Sequence, residues 1–196
     1  MLQNDSALKQ YPVTATLAAV CLVMFALCEI TGGSEDTGVL LKWGALYSPV
    51  TAENAWRLLT SVFLHAGIRH LLNNLLLLCV LGSRVEKLTG SLRCLIIFLG
   101  SAVLANIAAF YYYGLTGQNP VLVGASGGIF GLMGALIWII IRNKGKTEGL
   151  TVKSMLIMVA LALYFGFTSA GTANAAHVFG VIFGFVLAAL FYRRKL

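Results

Sequence analysis

Ser126 stands in Gly124-Ala125-Ser126-Gly127-Gly128, at the mouth of an apolar run, and His177 follows fifty-one residues later in a second such run, "NAAHVFGVIFG". Small neighbours permit a tight turn and leave a hydroxyl accessible, which is what an acyl-transfer nucleophile needs. A serine at its free pKa is a poor nucleophile. An imidazole within about 2.6–3.2 Å can take its proton and later return it to a leaving amine. The oxyanion of such a reaction needs donors, and "HLLNN" at 70–74 puts His70 and Asn74 at i and i+4 on one helix face. The backbone N–H groups of Gly124 and Ser126 are further candidates, whereas Asn73 points about 100° away. None of the acidic residues (Asp5, Glu29, Glu35, Asp36, Glu53, Glu86, Glu148) falls at the level inferred below for His177. The expectation is therefore a Ser–His pair without a third member, the imidazole being oriented by packing.

Each signal also has a plainer reading. Intramembrane serines and histidines serve as hydrogen-bonding glue between helices, and helix packing selects small residues for its own reasons. His65, His70 and His177 lie towards one side of the membrane, so a metal-binding channel or transporter is an alternative. Against it, the His-x4-His spacing of 65 and 70 is not the HExxH pattern of zinc proteases and has no matching carboxylate.

These residues must be positioned by membrane helices. The 196-residue chain is 59% hydrophobic and 11% charged, and its mean hydropathy of +0.86 excludes an ordinary water-soluble globule. Six apolar runs reach or approach the ~20 residues needed to cross ~30 Å of hydrocarbon. We place them at residues 13–31, 69–88, 92–112, 126–142, 152–169 and 173–192, which gives an all-α integral membrane protein. A β-barrel would show short alternating segments instead. The connector 32–68 is long and mixed, and its apolar and aromatic content suits the membrane interface. The N-terminal stretch lacks the features of a signal peptide, so the first run is expected to stay in place. Cys21, Cys28, Cys79 and Cys94 have no metal-ligand spacing and are expected to be free and buried.

The net charge of +7 speaks for membrane orientation rather than nucleic acid, because the basic residues flank the apolar runs. With the N-terminus inside, eleven of the fourteen Lys and Arg residues are cytoplasmic, leaving Lys42, Arg57 and Arg69 outside. Even-numbered spans then run inward. Ser126 lies sixteen residues before Arg142, and His177 sixteen before Arg193, so both sit roughly 24 Å above a basic inner anchor. His70, seventeen residues before Lys87, comes to about the same height. The fourth span carries Gly127, Gly131 and Gly134, and the sixth Ala176, Gly180 and Gly184, so the two can approach along small faces.

Taken together, "WRLLTSVFLHAGIRHLLNN", "GASGGIFG" and "AHVFGVIFG" resemble, in order and spacing across about residues 55–190, the rhomboid family of intramembrane serine proteases. The resemblance implies a single six-transmembrane-helix rhomboid-like domain over 1–196, in the minimal bacterial form and without a cofactor. It implies Ser126 as nucleophile, His177 as base, and His70 and Asn74 as oxyanion donors. It also implies that Trp56 and Arg57 stabilise the first extramembrane loop, that Glu86 is a structural acid at the inner end of the second span, and that Gly180 and Gly184 form a close helix contact. Phe130 stands where some family members have a tyrosine packed on the catalytic imidazole, so the ring face is kept and the hydroxyl lost. The implied partners are membrane lipid and single-pass transmembrane substrates, cut near the outer boundary. The implied location is a bacterial inner membrane with both termini cytoplasmic. A rhomboid-like protein that only binds helices would share the fold but should lack the serine or the histidine.

Overall fold

The structure, a computed structural model, describes residues 10–168 and 174–192. In chain order the helices are α1 (Pro12–Ile30), α2 (Thr37–Trp43), α3 (Arg57–Thr60), α4 (Ile68–Leu77), α5 (Ser83–Thr89), α6 (Ser91–Leu115), α7 (Ser126–Arg142), α8 (Val152–Thr168) and α9 (Asn174–Phe191). Two-residue strands β1 (Lys146–Thr147) and β2 (Leu150–Thr151) pair antiparallel between α7 and α8. The segments Pro12–Ile30, Ile68–Thr89, Ser91–Leu115 and Asn174–Phe191 are long and apolar enough to span a membrane, and α7 and α8 are shorter apolar helices. The chain is thus an all-α, multi-pass integral membrane protein.

The second span is not the uninterrupted helix that its sequence suggests. A wide turn of π-helix, Leu78–Gly82, separates α4 from α5. Gly82 lies in that turn against α1, where an added side chain would meet Thr14 Oγ1 at 2.9 Å and Cγ2 at 3.0 Å. The connector 32–68 likewise holds α2, α3 and a 3-10 turn, Ser61–Phe63, that periodicity alone did not separate. Cys21, Cys28 and Cys94 are buried free thiols, but Cys79 is exposed on the outer side of the wide turn, contrary to expectation.

α7 is the axis of the bundle, with thirteen of its seventeen residues buried. A helix apolar on every side has to be surrounded, and α6, α8 and α9 all pack against it. The outer helices instead turn apolar side chains outward, such as Leu22 and Val23 on α1, Leu156 and Leu161 on α8, and Ile182 and Val186 on α9. Such faces are stable only against lipid.

The seam between α7 and α9 is built on glycine. A side chain on Gly184 would overlap the Gly131 carbonyl, one on Gly180 the Gly127 carbonyl, and one on Gly134 the Val181 carbonyl. Because each obstacle is backbone, no rotamer change could relieve it. At its N-terminal end, α1 is closed by Glu86. Its carboxylate accepts from the backbone N–H of Val13 (2.9 Å) and Thr14 (2.8 Å), from Thr14 Oγ1 (2.7 Å) and from Ser91 Oγ (2.7 Å). No side chain next to α1 supplies a cap, so an acid from another span satisfies its orphan N–H groups and complements its dipole.

Two stability outcomes follow. Gly184→Val should lower unfolding stability by about 1–3 kcal/mol or more, whereas Ile182→Val on the lipid face should stay within about 0.5 kcal/mol, as read by thermal unfolding in detergent. Glu86→Ala should cost about 2–4 kcal/mol by leaving several buried donors unpaired, and Glu86→Gln, which keeps one acceptor oxygen, should fall in between.

Candidate active site

Ser126 is the first residue of α7, and its Oγ lies 2.9 Å from Nε2 of His177, in the first turn of α9. The glycine seam directly below sets that separation. Two helices packed through side chains hold their axes about 8–10 Å apart; with only hydrogens between them, short side chains at the open end can touch. Phe130, one turn below Ser126, stacks on the His177 ring with centroids 4.3 Å apart and planes 12° from parallel. The imidazole is buried, and its Nδ1 has no hydrogen-bond partner among the described residues. Packing on Phe130 and the bond to Ser126 are what orient it.

His70 closes the other side. The backbone N–H of Ala66 donates to its Nδ1 at 3.4 Å, so a neutral ring carries its proton on Nε2. That nitrogen would lie 2.8 Å from a Cβ built on Gly124, and Ser126 Oγ 3.8 Å from the same point. Gly124 is therefore glycine twice over, in its backbone angle (φ +118°) and in the space between imidazole and hydroxyl.

The donors named from sequence are not equally free. Asn74 is buried next to this cleft and gives one amide hydrogen to the His70 carbonyl at 2.8 Å, leaving the second. The Gly124 N–H is already committed to the Ser61 carbonyl at 2.9 Å. What Gly124 brings to the cleft is its missing side chain rather than a donor, which corrects the expectation. The backbone N–H of Ser126 sits at the N-terminal end of α7, where the helix's orphan donors and positive dipole end are found. Asn73 is exposed and turned away.

The connector 32–68 reaches the site through Arg57. Its Nη1 donates to the carbonyls of Leu41 (2.6 Å) and Ala45 (2.9 Å), while the guanidinium lies 4.6 Å from the Trp56 ring and 5.0 Å from that of Tyr47. One cation thus gathers two carbonyls and two aromatic faces. Leu46 then exchanges backbone hydrogen bonds with Leu122 (3.1 and 2.8 Å), tying the connector to the strand-like segment that enters Gly124. Asn106 on α6 reaches the same region, its Nδ2 donating to the Leu58 carbonyl (2.9 Å) and to Ser61 Oγ (3.1 Å). Sequence reasoning passed over Asn106. Its signal was an amide in the middle of an apolar run, where a polar group needs a reason.

His65 is fully buried and meets His70 edge to face, with ring centroids 5.1 Å apart. Burial, reinforced by the neighbouring His70, pushes its pKa down to about 3, so the ring stays neutral. No group of three or more His, Cys, Asp or Glu side chains among the described residues is arranged to hold a metal ion, so the three-histidine alternative lacks its coordination set. Residues 169–173, which precede α9, lie outside the described residues.

A rhomboid domain model matches residues 52–194. Rhomboid protease GluP of Bacillus subtilis is 36% identical over 178 residues, covering 90% of this chain and 34% of that protein. YdcA of the same strain is 32% identical over 192 residues, 96% of this chain and 92% of that one. Rhomboid protease GlpG of Salmonella typhi is 31% identical over 181 residues, 90% of this chain and 62% of its own length. The chain thus spans about a third of GluP and three fifths of GlpG, but nearly all of YdcA. Since the matched stretch starts before α3, ends beyond α9 and so encloses Ser126, His177, His70 and the glycine seam, this chain belongs to the rhomboid family.

Proposed function

We propose that the chain is an intramembrane serine endopeptidase that cleaves membrane-anchored proteins with a Ser126–His177 dyad. The observation that carries this reading is the 2.9 Å contact between the Ser126 hydroxyl and His177 Nε2 at the start of α7. That its relatives GluP and GlpG are named rhomboid proteases supports it.

In this reading His177 Nε2 accepts the hydroxyl proton as Ser126 Oγ attacks the scissile carbonyl. The resulting oxyanion receives hydrogen bonds from the Ser126 backbone N–H, from His70 Nε2–H and from the amide hydrogen that Asn74 has to spare. Imidazolium then gives its proton to the departing amine as the C–N bond breaks. Water, deprotonated by the same ring, hydrolyses the acyl-enzyme. Among the described residues no carboxylate supports Nδ1; the parallel face of Phe130 orients the ring in its place.

The seventeen residues of α7 rise about 26 Å, short of a ~30 Å hydrocarbon layer. With both termini cytoplasmic, as the basic residues favour, Ser126 lies below the outer boundary in a cleft that water enters from outside. The preferred substrates are single-pass transmembrane proteins that enter from lipid and unwind near their outer end, at small or helix-breaking residues. α8 buries only Met155, Val159 and Gly166 and is the helix best placed to yield for that entry. We assign the whole chain, 1–196, to one rhomboid domain with 32–68 at the interface, working in a bacterial inner membrane.

A fluorophosphonate should label the wild-type protein and leave Ser126→Ala unlabelled, with cleavage of a transmembrane substrate falling by at least about 10³-fold in Ser126→Ala and in His177→Ala. EDTA should change nothing. Label on another residue, or cleavage that survives Ser126→Ala, would refute the reading, and a folded wild type that neither labels nor cleaves would point to a helix-binding relative. Phe130→Ala should slow cleavage roughly three- to tenfold, the kinetic equivalent of ~0.5–1.5 kcal/mol of ring contact, and Phe130→Tyr should preserve it.

A further inference from the structure

Gly124 is held from two sides. Its N–H donates to the Ser61 carbonyl at 2.9 Å, and its open α-carbon abuts His70, whose Nε2 would be 2.8 Å from any Cβ placed there. Ser61 thereby sets where the backbone entering Ser126 lies relative to the His70 imidazole. Yet Ser61 cannot hold itself. It belongs to one 3-10 turn following the four-residue helix α3, and an isolated turn of that length is unstable alone.

What fixes it is Asn106. Both bonds run from the same Nδ2, to the Leu58 carbonyl at 2.9 Å and to Ser61 Oγ at 3.1 Å, so the amide's two hydrogens are spent on this turn. The same stretch of α6 also touches the other side of the nucleophile. Ala105 Cβ and Ala102 Cα would lie 3.5 and 3.7 Å from a Cβ on Gly127, the residue after Ser126. α6 therefore braces the site twice, once by packing on α7 and once through Asn106, Ser61 and Gly124.

We propose that Asn106 is a positioning residue for the reaction at Ser126, acting through Ser61 to set the Gly124 backbone against His70 and so the width of the oxyanion cleft. The proposal rests on the protease reading above. A carboxamide suits the task, since one nitrogen can reach an oxygen at either end of the turn. Leucine at this position would match its bulk and donate to neither.

The test uses the full-length protein in proteoliposomes, measuring kcat and KM on a transmembrane substrate, the fluorophosphonate labelling rate, and thermal unfolding. Asn106→Leu should lower kcat and labelling roughly ten- to a hundredfold at temperatures where it remains folded, with KM within about threefold, because misplacement and not substrate binding is at fault. In a His70→Ala background, whose residual labelling is measured over long incubation, Asn106→Leu should cost little more, since the geometry it protects is already gone. A merely structural tie would slow both backgrounds alike, and that result overturns the proposal, as does a wild-type rate in folded Asn106→Leu. If Asn106→Leu does not fold, Ser61→Ala removes only the Oγ acceptor and should lower labelling about three- to tenfold; an unchanged rate overturns the proposal. Labelling of Ser126→Ala would instead sink the protease reading itself, so the two failures are distinguishable.

Discussion

The site depends on how closely α7 and α9 can approach. In lipid no hydrophobic force drives helices together, so contact distance is set by what stands between the backbones. Here nothing does: the α-carbons of Gly180 and Gly184 face the carbonyls of Gly127 and Gly131 with no room for a methyl group. The seam starts within one turn of Ser126 and His177 and runs on for about one turn more, and the two side chains at its top span what remains with a single hydrogen bond of 2.9 Å. A seam wider by one methyl would pull hydroxyl and imidazole out of bonding range without altering either residue.

Polar ties outside the seam then place what the seam cannot. Arg57 gathers the connector 32–68 with two carbonyl bonds and two aromatic faces, Glu86 closes the start of α1, and the Leu46–Leu122 bridge brings the connector onto the segment entering Gly124. Each of the three ties main-chain groups of one segment to a residue of another. That answers the general problem of irregular backbone at membrane depth, and it explains why a chain so poor in charge keeps these few polar residues. By contrast, the half-exposed pair Lys87–Glu148 at 3.0 Å joins the C-terminal half of α5 to the β1–β2 turn and adds little stability where water screens it.

Much of this was legible from residue order. The six apolar runs match the helices to within a few residues, because a membrane helix must be apolar along its length and punctuated by charge or glycine at its ends. The shared level of Ser126 and His177 could be counted from Arg142 and Arg193, since a rise of ~1.5 Å per residue converts sequence distance into depth. Less accessible were features that rest on tertiary bonding alone. The wide turn at Leu78–Gly82 leaves no mark on hydropathy, because its residues are as apolar as those of the α-turn that precedes it. The Gly124 amide looked free until Ser61, sixty-three residues earlier, proved to be its acceptor. Asn106 was visible only as a polar residue out of place, and its partners belong to another element.

Among the described residues His177 Nδ1 has no partner, and this connects these observations. In a soluble hydrolase a buried carboxylate commonly fixes the tautomer and orientation of the base. In a bundle surrounded by lipid, a carboxylate at that depth would need donors of its own, and an unpaired one is costly. The acid that the second span does carry, Glu86, lies near its C-terminal end, where four donors meet it. At the level of His177, orientation falls to a parallel phenyl ring 4.3 Å away and to the rigidity of the helix pair. Rigidity, in turn, comes from the glycine contacts. The same residues that bring serine and histidine together thus also leave the imidazole no other direction in which to turn.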